Sequence, residues 1–286
     1  MKILVVGDLH GQKPRIHFKD FDAIIAPGDF CSDKRRKYIF SALREKIEDS
    51  NSEIEWYDYV GKRKATQMLR ESIDEGRRIL ELLDSFGKPV YVVPGNWEPM
   101  GDKVSGLAYE RKNRWGDMLH GLENITDIHF KKRTFKGLDI IGYGVVSGPE
   151  YPQYREDKDR FTKKEMDKAK KNFIKKKERL SKLFDKSNNP IIFVPHNVPF
   201  NTKLDKITNR ESPRYGYHYW SVLARDLIKK YNPLLCIGGH MHEQFGKDKI
   251  GKTVCINAGF GSYVNTLIDL DEESGRIRNI KFWKGK

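Results

Sequence analysis

Seven short apolar runs, rich in valine and isoleucine, constrain the fold of this chain more than any other feature of its sequence. Each is followed at once by glycine or polar residues. They cover residues 2–6, 22–26, 89–93, 138–144, 190–194, 234–238 and 253–257. Runs of this length are typical of strands that are buried on both faces, so they predict a core built on β-sheet.

Helical patterns lie between these runs. Segments 62–86, 162–186 and 218–231 carry apolar residues every three or four positions. The tail from Tyr263 to Trp283 reads as two strands joined by a turn at Ser274-Gly275. Strands alternating with helices predict an α/β fold with an antiparallel hairpin at its end.

The length of 286 residues suits either one large domain or two small ones. No internal repeat and no linker rich in serine, glycine and proline divides the chain. We therefore predict a single domain over residues 1–286, with helical insertions near 34–86 and 155–188.

The net charge of +14 favours partners that carry phosphate, including nucleotides and nucleic acid. Abundant lysine and glutamate are equally typical of heat-adapted proteins. The lysine-rich segment 162–186 likewise allows two interpretations. We favour the solvated face of an amphipathic helix, and a surface that contacts a phosphate backbone is the alternative.

Nothing in the sequence points to a membrane or to disulfides. No apolar stretch approaches the roughly 18 residues of a membrane span, and the N-terminal run reads as a buried strand, not a signal peptide. The three cysteines, Cys31, Cys236 and Cys255, are scattered, which argues against a disulfide scaffold or a zinc knuckle. We expect a cytoplasmic protein without membrane association.

Five of the apolar runs end in residues that are able to bind metal ions. Residues two apart on an extended strand end project to the same side, so a D-x-H or H-x-H pair can share one cation. In open α/β sheets such strand ends gather in one crevice. The candidate ligands are Asp8, His10, Asp29, Asn96, His196, His240 and His242.

Each motif has another explanation when taken singly. Asp29 could cap a turn after Pro27-Gly28, and a lone histidine is often a hydrogen-bonded core residue. The H-x-H pair also suits a metallo-β-lactamase-like site, but HMHEQF lacks the aspartate and the further histidine that such a site needs downstream. Five motifs that each follow a strand-like run directly favour one metal centre.

In this order the motifs resemble the signature of the calcineurin-like metallophosphoesterases, which is D-x-H, G-D, G-N-H-[DE], a lone histidine and G-H-x-H. The matching segments are Gly7-Asp8-Leu9-His10, Gly28-Asp29, Gly95-Asn96-Trp97-Glu98, His196 and Gly239-His240-Met241-His242. The resemblance spans residues 7 to 242. It implies a four-layer α/β/β/α sandwich, with two mixed β-sheets flanked by helices.

The resemblance also implies a dinuclear metal centre. Its ligands would be Asp8, His10 and His242 for the first metal, Asn96, His196 and His240 for the second, and Asp29 for both. Two divalent cations roughly 3.5–4 Å apart lower the pKa of a shared water and clamp a phosphoryl group. Imidazole, carboxylate and amide ligands together favour Mn, Fe, Zn or Ni.

Trp97 departs from the family pattern, which has a histidine there that acts on the leaving group. The indole N–H cannot give up its proton at neutral pH. The substrates would then have good leaving groups or be phosphodiesters, or His218 would supply the acid, although we favour a surface role for His218. Trp97 itself could stack on a base or only line the pocket. Glu98 is expected to orient nearby groups.

After Asp29 the chain reads FCSDKRR, without the D-R-G continuation of Ser/Thr protein phosphatases. Arg35 or Arg36 could still approach a substrate phosphate. We predict a dinuclear metal-dependent phosphoesterase that acts on phosphodiesters or nucleotides. The alternatives are a non-catalytic metal-binding scaffold of the same fold and a nuclease that binds structured DNA or RNA through the basic surface.

Overall fold

The computed structural model describes residues 1–49, 51–102, 104–145, 148–159, 161–210, 212, 214–272 and 275–285. The strands in these ranges are β1 (Lys2–Val5), β2 (Ala23–Ala26), β3 (Val90–Val92), β4 (Ile125–Asp127), β5 (Lys132–Phe135), β6 (Leu138–Tyr143), β7 (Ile191–Pro195), β8 (Leu235–Gly238), β9 (Gly246–Ile250), β10 (Thr253–Asn257), β11 (Val264–Leu270) and β12 (Ile277–Lys284). The helices are α1 (Arg36–Glu48), α2 (Lys62–Asp84), α3 (Trp115–Leu119), α4 (Arg155–Lys158), α5 (Lys163–Asp185) and α6 (Val222–Tyr231).

The strands form two mixed sheets of six strands each. The first has the order β12-β11-β1-β2-β3-β4, in which β1 to β4 run parallel and β11 runs antiparallel to both β1 and β12. The second has the order β5-β6-β7-β8-β10-β9, with a parallel centre and an antiparallel strand at each edge. The predicted α/β fold with two mixed sheets is confirmed.

Alternating side chains on each strand explain the layering. Ile3 and Val5 of β1 share one buried cluster with Val194 of β7, so this cluster joins the two sheets. Leu4 faces the other way, into a cluster with residues of α2 and α3. Phe193 of β7 packs with residues of α5 and α6. The sheets therefore face each other, with helices on both outer sides.

All seven apolar runs form strands, and the predicted helices at 62–86 and 162–186 are α2 and α5. The third helix begins at Val222 and not at 218, because the Ser221 side chain caps it by accepting the N–H of Ala224 at 3.0 Å. The terminal hairpin is β11 and β12. Of its predicted turn, Ser274 lies outside the described residues. The division into one domain with two insertions stays a prediction.

Candidate metal centre

The predicted ligands meet where five strands end. Asp8, His10, Asp29 and Asn96 follow strands of the first sheet, and His196, His240 and His242 follow strands of the second. Six of them form two groups, and within each group the ligand atoms lie within 4.8 Å of one another. We call Asp8, His10 and His242 the first triad, and Asp29, His196 and His240 the second triad. Each triad draws on both sheets.

Four of these six residues have a left-handed backbone. The φ angles of Asp8, His10, Asp29 and His240 are 50°, 45°, 58° and 66°. Residues with a Cβ rarely adopt this conformation, and it persists only where surrounding contacts enforce it. Here the His10 N–H donates to the Asp29 carbonyl at 2.8 Å, which fixes two of the turns against each other.

Two glycines allow the loops to approach this closely. A Cβ at Gly95 would collide with Oδ1 of Asp29, and a Cβ at Gly239 would lie 2.7 Å from Oδ2 of Asp8. Any side chain at either position would displace a carboxylate of one triad. The glycines of the G-N-W-E and G-H-M-H motifs are therefore required by packing.

Asp29 lies between the triads. Its Oδ2 is 3.7 Å from Nε2 of His10 in the first triad and 3.5 Å from Nε2 of His196 in its own. One carboxylate oxygen thus faces both groups, which is the placement expected of a ligand shared by two cations.

Asn96 lies beside the second triad. Its Oδ1 lies 2.9 Å from Nε2 of His196 and 2.7 Å from Nδ1 of His240. With the amide turned over, its nitrogen would donate to these atoms and its oxygen would accept from Nε1 of Trp97 at 3.2 Å. When the oxygen of Asn96 points inward, its lone pairs face the ring nitrogens of His196 and His240. A bound cation would stabilise this arrangement.

The buried donor atoms fit a metal in the first triad as well. Oδ1 of Asp8 is buried and finds no hydrogen-bond partner in the described part of the chain. Nε2 of His10 lies only 3.2 Å from Nε2 of His242. A carboxylate oxygen without a partner, close to two imidazole nitrogens that face each other, suits a divalent cation.

Electrostatics favour neutral imidazoles in the first triad. Burial lowers the pKa of His10, and burial together with His10 lowers the pKa of His242 to about 3. Burial would also lower the pKa of His196, but the charge of Asp29 outweighs it and raises that pKa to about 9. Burial raises the pKa of Asp29, yet His196 brings it below its usual value. A cation in the second triad therefore competes with the proton of His196.

Glu98 holds two ligand loops together, as expected. Its carboxylate is buried and accepts the backbone N–H groups of Asp29, Phe30, Cys31 and Gly95. These donors belong to the loops after β2 and β3. Glu98 therefore fixes the position of Asp29 relative to Asn96. It belongs to neither triad and acts through the backbone.

Trp97 is anchored beside both triads. Its backbone N–H donates to Oδ1 of Asp29 at 3.0 Å, and its ring meets the His10 ring edge-on at 6.0 Å. The guanidinium carbon of Arg35 lies over the indole, 5.0 Å from the ring centroid. Arg35 thus covers part of the surface on which a base would stack.

His218 is paired elsewhere. Its Nδ1 lies 2.7 Å from Oδ1 of Asp205, which is fully buried. Within the described residues, no hydrogen bond or ring contact joins His218 to either triad. Its role as the acid stays a prediction.

Sequence analysis missed two aromatic supports of the triads. The ring of Phe260 stacks on His242 at 4.0 Å, and the ring of Trp220 meets His240 edge-on at 4.1 Å. Phe260 lies three residues after the end of β10. Its position after a strand could therefore have predicted that it lies near the triads, as it did for the ligands.

Comparison with known proteins identifies the family. The sequence profile of the calcineurin-like phosphoesterases matches residues 1–244. The chain belongs to this family. Two triads of histidine and aspartate in this calcineurin-like phosphoesterase are consistent with a dinuclear metal site.

Solved structures share the fold of this phosphoesterase at low identity. One crystal structure aligns with 100% of the chain and 99% of its own, at 15% identity and a TM-score of 0.62. The protein TT1561 of Thermus thermophilus aligns over 99% and 98%, at 16% identity and 0.51. A putative 5′-nucleotidase from Staphylococcus aureus aligns over 99% of this chain and 54% of its own, at 13% identity and 0.51. No curated protein matches the sequence.

The structure bears on two predictions about the surface, the absence of a membrane span and the solvated face of the lysine-rich helix. Along the described ranges, no helix is both long and apolar enough to cross a membrane. The lysine-rich helix is α5, most of whose lysines are exposed, while Lys177 pairs with Asp226 at 2.7 Å. Exposed lysines fit a solvated face, and a contact with a phosphate backbone stays a prediction.

Proposed function

We propose that this phosphoesterase hydrolyses phosphate esters, in particular phosphodiesters or nucleotides, with two divalent cations as cofactors. The first triad would hold one cation, and the second triad with Asn96 the other. The observation that carries the proposal is the single Asp29 oxygen within 3.7 Å of imidazole nitrogens from both triads. The donor set suits Mn, Fe, Zn or Ni.

When bound, the two cations would activate water and neutralise the charge of the phosphoryl group. The chain's own residues supply the geometry. Glu98 holds the loops of Asp29 and Asn96, and Trp97 forms an apolar wall beside His10. Because the indole cannot release a proton, the expected substrates are esters whose leaving group departs as a stable anion, or phosphodiesters whose departing oxygen would be helped by a cation or a water.

Hydrolysis of p-nitrophenyl phosphate and bis-p-nitrophenyl phosphate tests this function. We expect release of p-nitrophenol that needs added Mn, stops with chelator and is lost in Asp29→Asn. Asp74→Asn, on the exposed surface of α2, is the matched control and should keep the activity. If folded protein supplied with Mn, Fe, Zn or Ni cleaves neither ester, the proposal is wrong. Two bound cations without hydrolysis would favour the scaffold alternative.

Trp97→His tests the account of the leaving group. A histidine there could protonate a departing alkoxide, so we expect alkyl phosphates to be cleaved up to ~10²-fold faster, with little change for aryl esters. Trp97→Phe keeps an aromatic wall without a proton donor and should give no gain. The measurement is kcat over a series of esters of rising leaving-group pKa. Equal rates of Trp97→His and Trp97→Phe on poor leaving groups would contradict the account.

A further inference from the structure

Arg35 carries a guanidinium group that the protein does not satisfy. Its central carbon lies 5.0 Å from the ring centroid of Trp97 and 5.7 Å from that of Trp56. Its Nε is buried and, within the described chain, has no hydrogen-bond partner. Among the described residues, we find no carboxylate or carbonyl that accepts from its N–H groups.

Several other arginines in the described chain have acceptors, whereas Nε of Arg114, like that of Arg35, is buried without one. Arg36, the next residue, lies 3.6 Å from Asp33 and is 47% exposed at its side chain. Arg214 forms a two-point ion pair with Asp157, and Arg225 donates to two backbone carbonyls. The missing acceptor thus sets Arg35 apart from these three.

Glu110 does not fill this role. Glu110 contributes most to stabilising the charge of Arg35, but its carboxylate already accepts from Nε1 of Trp56 at 3.2 Å and from Oγ of Ser105 at 2.6 Å. Burial therefore lowers the pKa of the Arg35 guanidinium, although arginine keeps its charge in proteins. Arg35 is half-buried, and a partly buried cation without a paired anion is stabilised by an anion that binds from solvent.

The position of Arg35 places this charge beside the metal centre. It lies over Trp97, whose backbone bonds to Asp29 and whose ring contacts His10. Trp56 contacts it as well, and the bond from Trp56 to Glu110 fixes that indole. Two anchored rings therefore hold the guanidinium next to the two triads.

We propose that Arg35 is an oxyanion subsite that binds a phosphate group of the substrate through its unpaired N–H donors, with Trp56 and Trp97 holding the guanidinium in place. The identity of the anion as part of a substrate rests on the proposed function. A planar guanidinium presents paired donors that match two oxygens of a phosphate. The phosphate has two sources, the scissile phosphoryl group or a second phosphate on the same molecule.

Anion binding without added metal tests the subsite independently of hydrolysis. The full chain, kept in chelator, is titrated with inorganic phosphate and with pyrophosphate while tryptophan fluorescence is followed, because two indoles contact Arg35. We expect a saturable change in the wild type and about tenfold weaker binding in Arg35→Gln. Arg155→Gln, at an exposed arginine of α4 whose Nε lies 3.6 Å from Oδ2 of Asp159, is the matched control and should bind like the wild type.

Arg35→Lys sharpens this test, since it keeps the charge and loses the paired donors. It should bind more weakly than the wild type and more tightly than Arg35→Gln. Circular dichroism confirms that each variant is folded. No saturable binding by the wild type, or equal binding by wild type and Arg35→Gln, would overturn the proposal.

The Mn-loaded enzyme distinguishes the two sources of phosphate. If Arg35 contacts the scissile group, Arg35→Gln lowers kcat/KM for p-nitrophenyl phosphate and for a nucleoside diphosphate alike. If it contacts a second phosphate, only the diphosphate shows a raised KM. Either pattern supports the subsite, and unchanged kinetics on both substrates overturns it. Anion binding by a chain that hydrolyses nothing would retain the subsite and refute the proposed function.

Discussion

The two triads differ in how firmly the fold holds their side chains. In the second triad, Nδ1 of His196 lies 2.7 Å from the Pro27 carbonyl, and Asp29 accepts the Trp97 N–H at 3.0 Å. In the first triad, Asp8 likewise accepts the His240 N–H at 2.5 Å, but Nδ1 of His10 has no partner within the described chain.

This difference separates a preorganised site from a more adaptable one. Hydrogen bonds behind a ligand fix its orientation and strengthen metal binding. The second triad also has Asn96 as an additional donor. We therefore expect its cation to bind more tightly at a pH above about 9, where the proton of His196 no longer competes, and the cation of the first triad to be removed first by a chelator there.

The largest expected effect comes from the carboxylate that faces both triads. Asp29→Asn should lose both cations, because it weakens the shared ligand and removes a negative charge from each site. Asp8→Asn should lose the first cation and keep the second. The measurement is metal content by mass spectrometry after Mn loading and desalting, with thermal unfolding as a check on folding. Retention of both cations by Asp29→Asn, with loss of both by Asp8→Asn, would reverse the comparison.

A smaller effect is expected from Glu98, which acts on the second triad through the backbone. Glu98→Gln replaces an acceptor of four N–H groups by an amide that can satisfy fewer of them. We expect metal affinity at the second triad to fall ~10–100-fold, and the free energy of unfolding to fall by about 1–3 kcal/mol. Calorimetric metal titration and urea unfolding measure the two quantities.

The matched control for this variant is Glu123→Gln, an exposed glutamate outside the site. It should leave both quantities unchanged. If Glu98→Gln lowered the metal affinity of the first triad only, the hydrogen bonds of Glu98 would not support the second triad, and our account of Glu98 would be wrong.

The strands and ligands were predictable because both leave local signals. Runs such as 2–6 and 190–194 are apolar on both faces, and the ligands follow these runs directly. Strands β4, β5 and β9 were not predicted. β5 reads KRTF and β9 reads GKDKI, so these edge strands are largely polar and form only because a neighbouring strand pairs with them.

Other features of the site depend on which loops meet. Nothing in the sequence marks the left-handed backbone at Asp8 or Asp29, which is enforced by contacts between the ends of β1 and β2. The pairing of His218 with Asp205 joins two positions of one long loop. The unsatisfied state of Arg35 becomes visible only once Trp56 and Trp97 are placed around it.

The smallest expected effect on cation affinity comes from substitutions of the aromatic residues that contact the triads. Phe260 stacks on His242 of the first triad, and Trp220 contacts His240 of the second. Phe260→Leu and Trp220→Leu keep an apolar side chain and remove the ring, and Trp220→Leu also removes the bond from its Nε1 to Sδ of Met241 at 3.2 Å. Such ring contacts are worth about 0.5–1.5 kcal/mol, so each change should weaken a cation by a few-fold to tenfold.

The two leucine variants serve as controls for each other, because each should affect one triad. We expect Phe260→Leu to have the larger effect, since the first triad has fewer hydrogen bonds to hold its rings. His240 keeps its backbone bond to Asp8 and its contact with Asn96 when Trp220 is changed. Stepwise chelator titration followed by metal analysis resolves the two sites. A larger loss in Trp220→Leu would show that ring packing, and not hydrogen bonding, is what holds the second triad.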